Sequence, residues 1–483
     1  MSKHVIVIGA GVAGLNASIE LLQKGQKVTL IEKNSNVGGL CTGYDVDGFY
    51  VDACIHWLMG SKKTNILYEM WKNMGAFSDD IPTIKLDSFV TIDYQGTKVR
   101  FGRDLEKTRK EWLKISPIDK RAINRFFNIT GIVGKVMNFV LKTESKKNPM
   151  DIVKTLVKSP AILKSMSLSR DEYSKKFKHP ALRFAVANSM TGYNNAFFMF
   201  DIYGLFVNDN ADFPSGGAKL MMERIKNRFL SLGGNLLLNE SIIELKIENK
   251  RVFEVKTDKN REISCDYVVS TINPNYLLKN MTNKEYVISK LDKMDKHIDK
   301  YPVSSCFNVY VTVEGDISFI DVPTTIDIEP IQVGASRPNY LLIRPYYFDK
   351  EYFVKDNKTV VSLFVNKKQN DYYHYKSLSK ESLKREEQQI IDQMIYAFIS
   401  RYPTLKGKVK YLTHFGPIEL EERTNTPYGA LQSYSLTTPT SFYMSEGRAK
   451  GIDNLFICGQ WTRSAGGTPT ALLTSHAVVK KIK

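Results

Sequence analysis

Three glycines and one acidic residue near the start of the chain have the types and spacing that bind a dinucleotide. Gly9, Gly11 and Gly14 follow an apolar run, and Glu32 stands 18 positions after Gly14. In such a turn the first glycine permits the bend, the second lets a pyrophosphate approach, and the third lets a helix pack closely. The helix N-terminus attracts phosphate, and the Glu32 carboxylate can accept hydrogen bonds from ribose hydroxyls. The alternative is a glycine turn that holds no ligand.

A second glycine pair follows shortly after the first turn and its acidic residue. Gly38 and Gly39 follow closely after Lys33 and precede Leu40. Because glycine has no side chain, this second loop can reach the same pyrophosphate as the first turn. A Gly-Gly pair at this position resembles the flavin amine oxidase superfamily, and this resemblance implies FAD as the dinucleotide, with Lys33, Gly38, Gly39 and Leu40 in its site.

The C-terminal part of the chain holds the second half of the predicted flavin site. An apolar run ends at Gly459, and Thr468-Pro469 follows a further glycine pair. Threonine is a good N-cap and proline is favoured in the first helical turn, so a helix is predicted to begin here. Its N-terminus can stabilise the negative charge of reduced flavin at the N1–C2=O edge. The residues assigned to FAD in this part are Gly459, Gln460, Gly467, Thr468, Thr470 and Ala471.

The elements that position these residues alternate along the chain. The pattern predicts strand–helix–strand over 5–32, a hairpin over 84–101, helices over 105–200, and a helix with strands over 213–273. A β-rich region over 300–366, a helix over 380–401 and a final strand and helix complete the chain. The predicted fold class is α/β: a discontinuous Rossmann-like FAD-binding domain, a mixed β-sheet substrate domain and a helical insert. The predicted division is 1–75, 206–275 and 415–483 for FAD binding, 80–104 plus 300–410 for substrate, and 105–205 for the insert.

Composition restricts the classes of protein to which the chain can belong. Its 483 residues suggest more than one domain. The five cysteines are scattered, which favours a reducing compartment, and no cluster has metal-ligand spacing, so no metal is expected. The chain runs directly from Met1 into an apolar strand and has no long apolar segment, so neither a signal peptide nor a membrane span is expected. We predict a cytoplasmic protein.

Several motifs together resemble the phytoene desaturase and retinol saturase-like oxidoreductases of the flavin amine oxidase superfamily. The matching blocks lie at 9–14, 38–40, 213–222 and 454–471, with branch-specific likeness at 50–57 and 424–430. On this match Ile242 takes the position of the apolar residue against adenine. Two positions depart from the pattern: Asn36 replaces a basic residue, and Cys54 replaces a glycine.

The resemblance implies FAD as cofactor and hydride transfer between flavin N5 and a carbon of an apolar, polyene- or isoprenoid-like substrate. The chain carries a single dinucleotide fingerprint, so an external electron acceptor or donor is expected: a quinone, dioxygen or a reductase. A flavin amine oxidase with an aromatic cage (Trp57, Tyr428, Trp461), a redox-neutral reduced-flavin isomerase and a non-catalytic flavin-dependent membrane-binding protein are the alternatives.

Candidates for the catalytic side chains are few. His56 lies in the matching block at 50–57, and Arg423 and Tyr428 flank a Pro-Gly turn. A packing or structural role is the alternative for each. Cys41 and Cys54 can approach the flavin, although inert buried thiols are the simpler interpretation.

The net charge of +17 is concentrated in one segment of the chain. Residues 107–178 hold 18 Lys and Arg against 6 Asp and Glu. Apolar stripes at helical spacing run through the same segment, at Phe126–Val140 and at Met150–Met166. A basic amphipathic surface over 105–178 can lie on an anionic membrane, such as the inner membrane face, and packed helices with a lysine-rich outer face are the alternative. No nucleic-acid partner is expected, because the segment contains no recognised nucleic-acid module.

Overall fold

The computed structural model describes residues 2–141 except 55–56, 79 and 82, residues 160–437 except 191, 193–194, 283–285 and 287, and residues 443–483 except 446 and 465. In these residues the α-helices are α1 (Val12–Gln23), α2 (Ile66–Met74), α3 (Leu105–Ile115), α4 (Lys120–Val140), α5 (Pro160–Met166), α6 (Arg170–Ser174), α7 (Pro180–Asn188), α8 (Ala196–Phe206), α9 (Gly217–Ser231), α10 (Pro274–Asn280), α11 (Ser289–Lys296), α12 (Lys350–Phe353), α13 (Gln369–Ser377), α14 (Lys380–Arg401), α15 (Pro417–Thr424) and α16 (Thr468–Val479).

The strands in the same described residues are β1 (His4–Ile8), β2 (Lys27–Ile31), β3 (Gly43–Val46), β4 (Phe49–Asp52), β5 (Leu58–Met59), β6 (Thr83–Ile84), β7 (Ser88–Tyr94), β8 (Thr97–Gly102), β9 (Ala211–Pro214), β10 (Asn235–Leu237), β11 (Ile242–Glu248), β12 (Arg251–Thr257), β13 (Glu262–Ser264), β14 (Tyr267–Ser270), β15 (Ser305–Glu314), β16 (Thr324–Asp327), β17 (Tyr340–Pro345), β18 (Val354–Lys355), β19 (Lys358–Lys367), β20 (Val409–Phe415) and β21 (Leu455–Ile457).

A parallel sheet assembles strands from distant parts of the chain. Its order is β10-β2-β1-β14-β21, and every neighbouring pair is parallel. The apolar side chains of β1 are buried, as expected for a parallel sheet that is covered on both faces. The sheet confirms the predicted Rossmann-like, discontinuous α/β fold.

Helices α1 and α16 pack together beside this sheet and tie the two chain ends into one unit. Asn16 Nδ2 donates to Ser475 Oγ at 2.9 Å, and the His476 ring lies 2.8 Å from a Glu20 carboxylate oxygen. The Lys24 ammonium donates to the carbonyl of Val479 at 2.7 Å, close to the ends of both helices. These contacts join residues more than 450 positions apart.

A second, mixed sheet has the order β20-β15-β19-β17-β16-β7-β8, with β18 paired to β19. Strands β16 and β7 are parallel, and the other pairs are antiparallel. The predicted hairpin is formed by β7 and β8, and its turn residues Gln95 and Gly96 have φ of 49° and 83°. Helix α14, predicted at its observed bounds, contributes Ile390, Met394 and Phe398 to the same core cluster as this sheet. The domain boundaries given above stay a prediction.

The helical region α3–α8 forms a separate core around Trp112, Phe126 and Phe200. Helices α4 and α8 cross where Gly134 faces Gly204, since a Cβ on Gly134 would lie 2.9 Å from the Cα of Gly204. The first predicted apolar stripe is therefore mainly a packing surface. Of the second stripe, Met150 to Val157 lies outside the described residues. Across the residues that the structure describes, no helix combines the length and apolarity needed to cross a bilayer.

Candidate functional site

One large cavity lies at the carboxyl ends of the parallel strands. Its volume is about 1070 Å³, and Ile8, Ile31, Thr271 and Gly459 line it where β1, β2, β14 and β21 end. Ligands of open α/β sheets bind at this edge. The volume is slightly above the roughly 300–1,000 Å³ that is typical of small-molecule pockets.

The Gly-x-Gly-x-x-Gly turn has the geometry that its spacing predicts. Gly9 has φ of 92°, a conformation that favours glycine. A Cβ on Gly14 would lie 1.9 Å from the carbonyl oxygen of Gly9, so α1 can pack on β1 only if residue 14 is glycine. Gly14 serves this packing and is not one of the residues that line the cavity.

The second glycine loop lies against the first. Gly38 N donates to the carbonyl of Ala10 at 2.9 Å, and Gly11 and Gly38 form an isolated parallel bridge. A Cβ on Gly11 would meet protein only at 3.8 Å, so this part of the cavity wall is bare backbone. The two loops together form a backbone cradle of the kind that accommodates a pyrophosphate.

Two helix N-termini open into the same cavity without side-chain caps. Helix α1 begins after Gly11, and α16 begins after Gly467, which has φ of 101°. The expectation that Thr468 caps α16 with its side chain is wrong: Thr468 is the first helical residue and Pro469 the second. Because Gly467 supplies no capping oxygen, the first N–H groups of α16 stay available to a ligand.

Glu32 is buried and lines the cavity beside the first turn. One carboxylate oxygen accepts from Ala10 N at 2.8 Å, and the other accepts from Asn34 N at 3.0 Å. A carboxylate has about four acceptor positions, so it retains capacity for a ligand hydroxyl. Lys33 donates to Asn425 Oδ1 at 2.8 Å, and burial lowers its pKa, although Glu32 opposes this.

Arg423 lies over the second glycine loop. Its guanidinium donates to the Gly39 carbonyl at 2.8 Å and stands 4.8 Å from the centre of the Tyr44 ring. Burial lowers the pKa of Arg423 to about 10, and Glu32 and Cys41 act in the opposite direction. This cation therefore belongs to the dinucleotide side of the cavity.

Some of the remaining residues that the sequence assigned to FAD or to catalysis lie on the cavity wall, and others do not. Those on the wall are Leu40, Ile242, Gly459, Gln460, Thr470 and Ala471. Tyr428 is not on the cavity wall that the described residues form; it packs edge-on against Tyr372 and Tyr373. The aromatic cage of Trp57, Tyr428 and Trp461 is therefore not assembled. His56 lies outside the described residues.

Beyond the dinucleotide side, the cavity continues between helices of the insert. Its wall there comes from α4, α5 and α8 and their neighbours, and the residues are Met137, Val140, Met166, Met190, Phe197, Phe198 and Ile202. These side chains are apolar, and methionine adapts its shape to irregular ligands.

A single buried acid interrupts this apolar wall. Asp201 of α8 is 7% exposed, and its Oδ1 has no hydrogen-bond partner among the described residues. Burial raises its pKa to about 7, although the nearby charge of Arg463 acts against the rise. At neutral pH the carboxyl can therefore donate or accept a hydrogen bond inside the cavity.

The cavity residues that sequence reasoning did not single out include Asp201, Glu240 and Arg463. Asp201 is the one charged residue in the apolar run 196–206, and an isolated acid in a buried helix is itself a signal. Glu240, which lies 3.2 Å from Arg261 Nε, stands two positions before the predicted Ile242. Arg463 lies within the recognised C-terminal block.

The fold and this cradle define an FAD-binding oxidoreductase. The bare backbone at Gly11, the uncapped starts of α1 and α16 and the carboxylate of Glu32 match the chemistry of pyrophosphate, flavin and ribose. The chain belongs to the flavin-containing amine oxidoreductase family, which it matches over residues 12–482. Its cofactor is FAD.

Two curated relatives act on carotenoids by name. The 4,4'-diaponeurosporene oxygenase of Staphylococcus aureus is 22% identical over 333 residues, which cover 65% of this chain and 63% of that protein. The chain thus spans less than two thirds of that relative. The neurosporene-forming phytoene desaturase of Rhodobacter capsulatus is 22% identical over 99% of this chain and 94% of that protein.

Solved structures share the fold. A putrescine oxidase bound to putrescine superimposes with a TM-score of 0.63 at 14% identity, covering 100% of this chain and 99% of that one. At this identity the likeness concerns the fold alone.

Proposed function

We propose that this protein transfers hydride between FAD and a carbon of an apolar, polyene- or isoprenoid-like substrate, as a desaturase or saturase. The observation that carries the proposal is the apolar extension of the cavity between α4, α5 and α8. Apolar walls bind a polyene by removing its surface from water, at about 25 cal/mol per Å² buried. The names of the two carotenoid-related proteins support the same substrate class.

The residues of the cradle would hold and orient the cofactor. Gly9, Gly11, Gly38 and Gly39 give the pyrophosphate access to backbone, and Glu32 accepts from the ribose. When bound, FAD supplies a hydride acceptor or donor at N5. The insert excludes water from the reacting carbon and fixes its approach.

We further propose that the insert docks on an anionic membrane, from which a lipid-soluble substrate can enter. Ile132, Phe139 and Leu163 are 43%, 52% and 43% exposed on α4 and α5, close in sequence to the cavity residues Met137 and Met166. Basic residues on the same segment would attract anionic headgroups. Co-sedimentation with vesicles should therefore depend on anionic lipid and weaken at high salt.

The test of the reaction is anaerobic mixing of the holoprotein with polyenes while both the flavin and the polyene spectra are followed. A desaturase bleaches the flavin as the polyene absorption moves to longer wavelength; a saturase, started with reduced flavin, does the reverse. A spectral change of the polyene without net flavin change indicates the isomerase. No response to any polyene refutes the proposal.

We propose that the flavin passes its electrons to, or receives them from, an external partner: a quinone, dioxygen or a reductase.

A matched pair of variants tests the place of the substrate. Met190→Trp fills the apolar part of the cavity and should raise KM for long polyenes without loss of FAD. Met444→Trp makes the same change at a residue 63% exposed and away from the cavity wall, and should behave as the wild type.

Amine oxidation is the second candidate, because Asp201 places in the cavity an acid whose Oδ1 has no hydrogen-bond partner in the described part of the chain. An ionised carboxylate there would pair with a substrate ammonium. This reaction predicts peroxide release with amines, and its loss in Asp201→Asn. Polyene turnover without peroxide from any amine decides against it.

A further inference from the structure

Two cysteines stand opposite each other at the open end of the β3–β4 hairpin. The register pairs Gly43 with Asp52, and Ala53 N donates to the Thr42 carbonyl at 3.0 Å. The next positions in this register are Cys41 and Cys54. Opposed residues of an antiparallel pair have Cα atoms about 4.5–5.5 Å apart, within the roughly 4.4–6.8 Å that a disulfide requires.

Both residues of this pair line the FAD cavity. The Cys54 side chain is the largest cause of the raised pKa of the Cys41 thiol. Cys41 is buried and Cys54 half-buried, so the pair belongs to the cavity wall and not to the outer surface. The hairpin register therefore places the two Cα atoms at a separation that a disulfide can span.

The backbone around the pair is held on both sides. Cys41 N donates to the Gly38 carbonyl at 3.0 Å, which ties it to the second glycine loop. Cys54 N donates to Asp52 Oδ1 at 2.9 Å, and Asp52 Oδ2 accepts from Ala218 N at 2.6 Å. The pair thus has a fixed place where the dinucleotide loop meets the hairpin.

The surroundings of Cys41 keep its thiol protonated. The hydrogen bond to Cys54, burial and the Asp52 carboxylate raise the pKa of Cys41 well above its usual value, against the charge of Arg423. Tyr50 lies within electrostatic range of Cys41, and Tyr346 lies within electrostatic range of Cys54. A pair of thiols that forms a disulfide releases two electrons and two protons, which is what an oxidised flavin takes up on full reduction.

We propose that Cys41 and Cys54 are a redox-active dithiol that exchanges two electrons with the bound FAD. In the forward direction both S–H bonds break and one S–S bond forms. The two electrons and two protons pass to oxidised FAD, which becomes FADH₂; the reverse reaction restores the thiols. This activity is independent of the substrate proposed above.

The first test counts electrons. Holoprotein is oxidised with diamide, desalted and titrated anaerobically with dithionite while the flavin absorption is followed. A dithiol in exchange with FAD makes the wild type take up four electrons per FAD, since each couple accepts two. Cys41→Ser and Cys54→Ser should each take up two. Cys265→Ser, which changes a cysteine outside the cavity wall of the described residues, should still take up four.

The second test needs no variant and so decides the question if a serine variant fails to fold or to hold FAD. Wild-type holoprotein is alkylated with N-ethylmaleimide under denaturing, anaerobic conditions before and after the titration. Of the five cysteines of the chain, all should be alkylated in the reduced state, and all except Cys41 and Cys54 in the oxidised state. Peptide mapping should then find these two joined by a disulfide. Uptake of two electrons by the wild type, with five alkylated cysteines in both states, overturns the proposal.

Discussion

Replacing Asp201 with asparagine should stabilise the protein, and increasingly so as the pH rises. Asparagine has almost the shape of the protonated acid and cannot ionise. The folded protein raises the pKa of Asp201 from 3.8 to about 7, because burial penalises its charge more than Arg463 compensates. The proton therefore binds more tightly in the folded state than in the unfolded state.

The sign and size of the effect follow from proton linkage. Between pH 4 and pH 7 the unfolded chain has lost this proton while the folded protein keeps it, so wild-type stability falls as the pH rises. The difference between 3.8 and about 7, at 1.36 kcal/mol per pKa unit, amounts to about 4 kcal/mol above pH 7. At pH 5 only about 1.7 kcal/mol of this cost is present by the same relation. The advantage of Asp201→Asn should therefore grow by about 2.5 kcal/mol between pH 5 and pH 8.

Urea denaturation of wild type and variant at pH 5 and pH 8, in the same excess of FAD, measures this difference. Asp209→Asn is the control with the opposite sign. Burial acts to raise the pKa of Asp209, but the hydrogen bond and charge of Lys85 and the charge of Arg103 outweigh it and lower the pKa. Its ionised form stabilises the fold above pH 4, so Asp209→Asn should lose stability at both pH values. An Asp201→Asn advantage that stays constant between pH 5 and pH 8 would refute the buried-acid reasoning.

Three further predictions concern the FAD cradle. Gly14→Ala should destabilise the protein by roughly 1–3 kcal/mol and reduce FAD content, because its Cβ would lie 1.9 Å from the Gly9 carbonyl; Gly131→Ala in α4, where the nearest atom is 3.9 Å away, should be neutral or stabilising in thermal melts. Glu32→Gln should weaken FAD binding by roughly tenfold in equilibrium dialysis through loss of a charged acceptor, and unchanged affinity would remove Glu32 from the ribose site. Arg423→Met removes the donor to the Gly39 carbonyl and should weaken FAD binding by roughly ten- to a hundredfold; normal FAD affinity with impaired turnover would instead place Arg423 against the substrate.

The sequence by itself determined the local chemistry of the cradle. The glycines at 9, 11, 38 and 39 present bare backbone to the cavity, and Gly14 lets α1 pack on β1. The spacing to Glu32 is set by one strand and one helix. Such short-range features can be recognised in a sequence, because each depends only on residues a few positions away. The flavin assignment and the union of the two chain ends followed from these motifs and were confirmed.

Only the tertiary structure decided what the cavity offers a substrate. Asp201 and Arg463 come from segments 262 positions apart, and the unusual pKa of Asp201 exists only because folding removes water from it. The pairing of Cys41 with Cys54 depends on the hairpin register, which a reading of each cysteine separately could not supply. The position of Thr468 could not be predicted from its residue type either. Threonine is a common N-cap, but Gly467 takes the capping position because the helix begins one residue earlier than predicted. Burial, register and long-range charge are properties of the packed chain, and they set the reactivity that the motifs leave open.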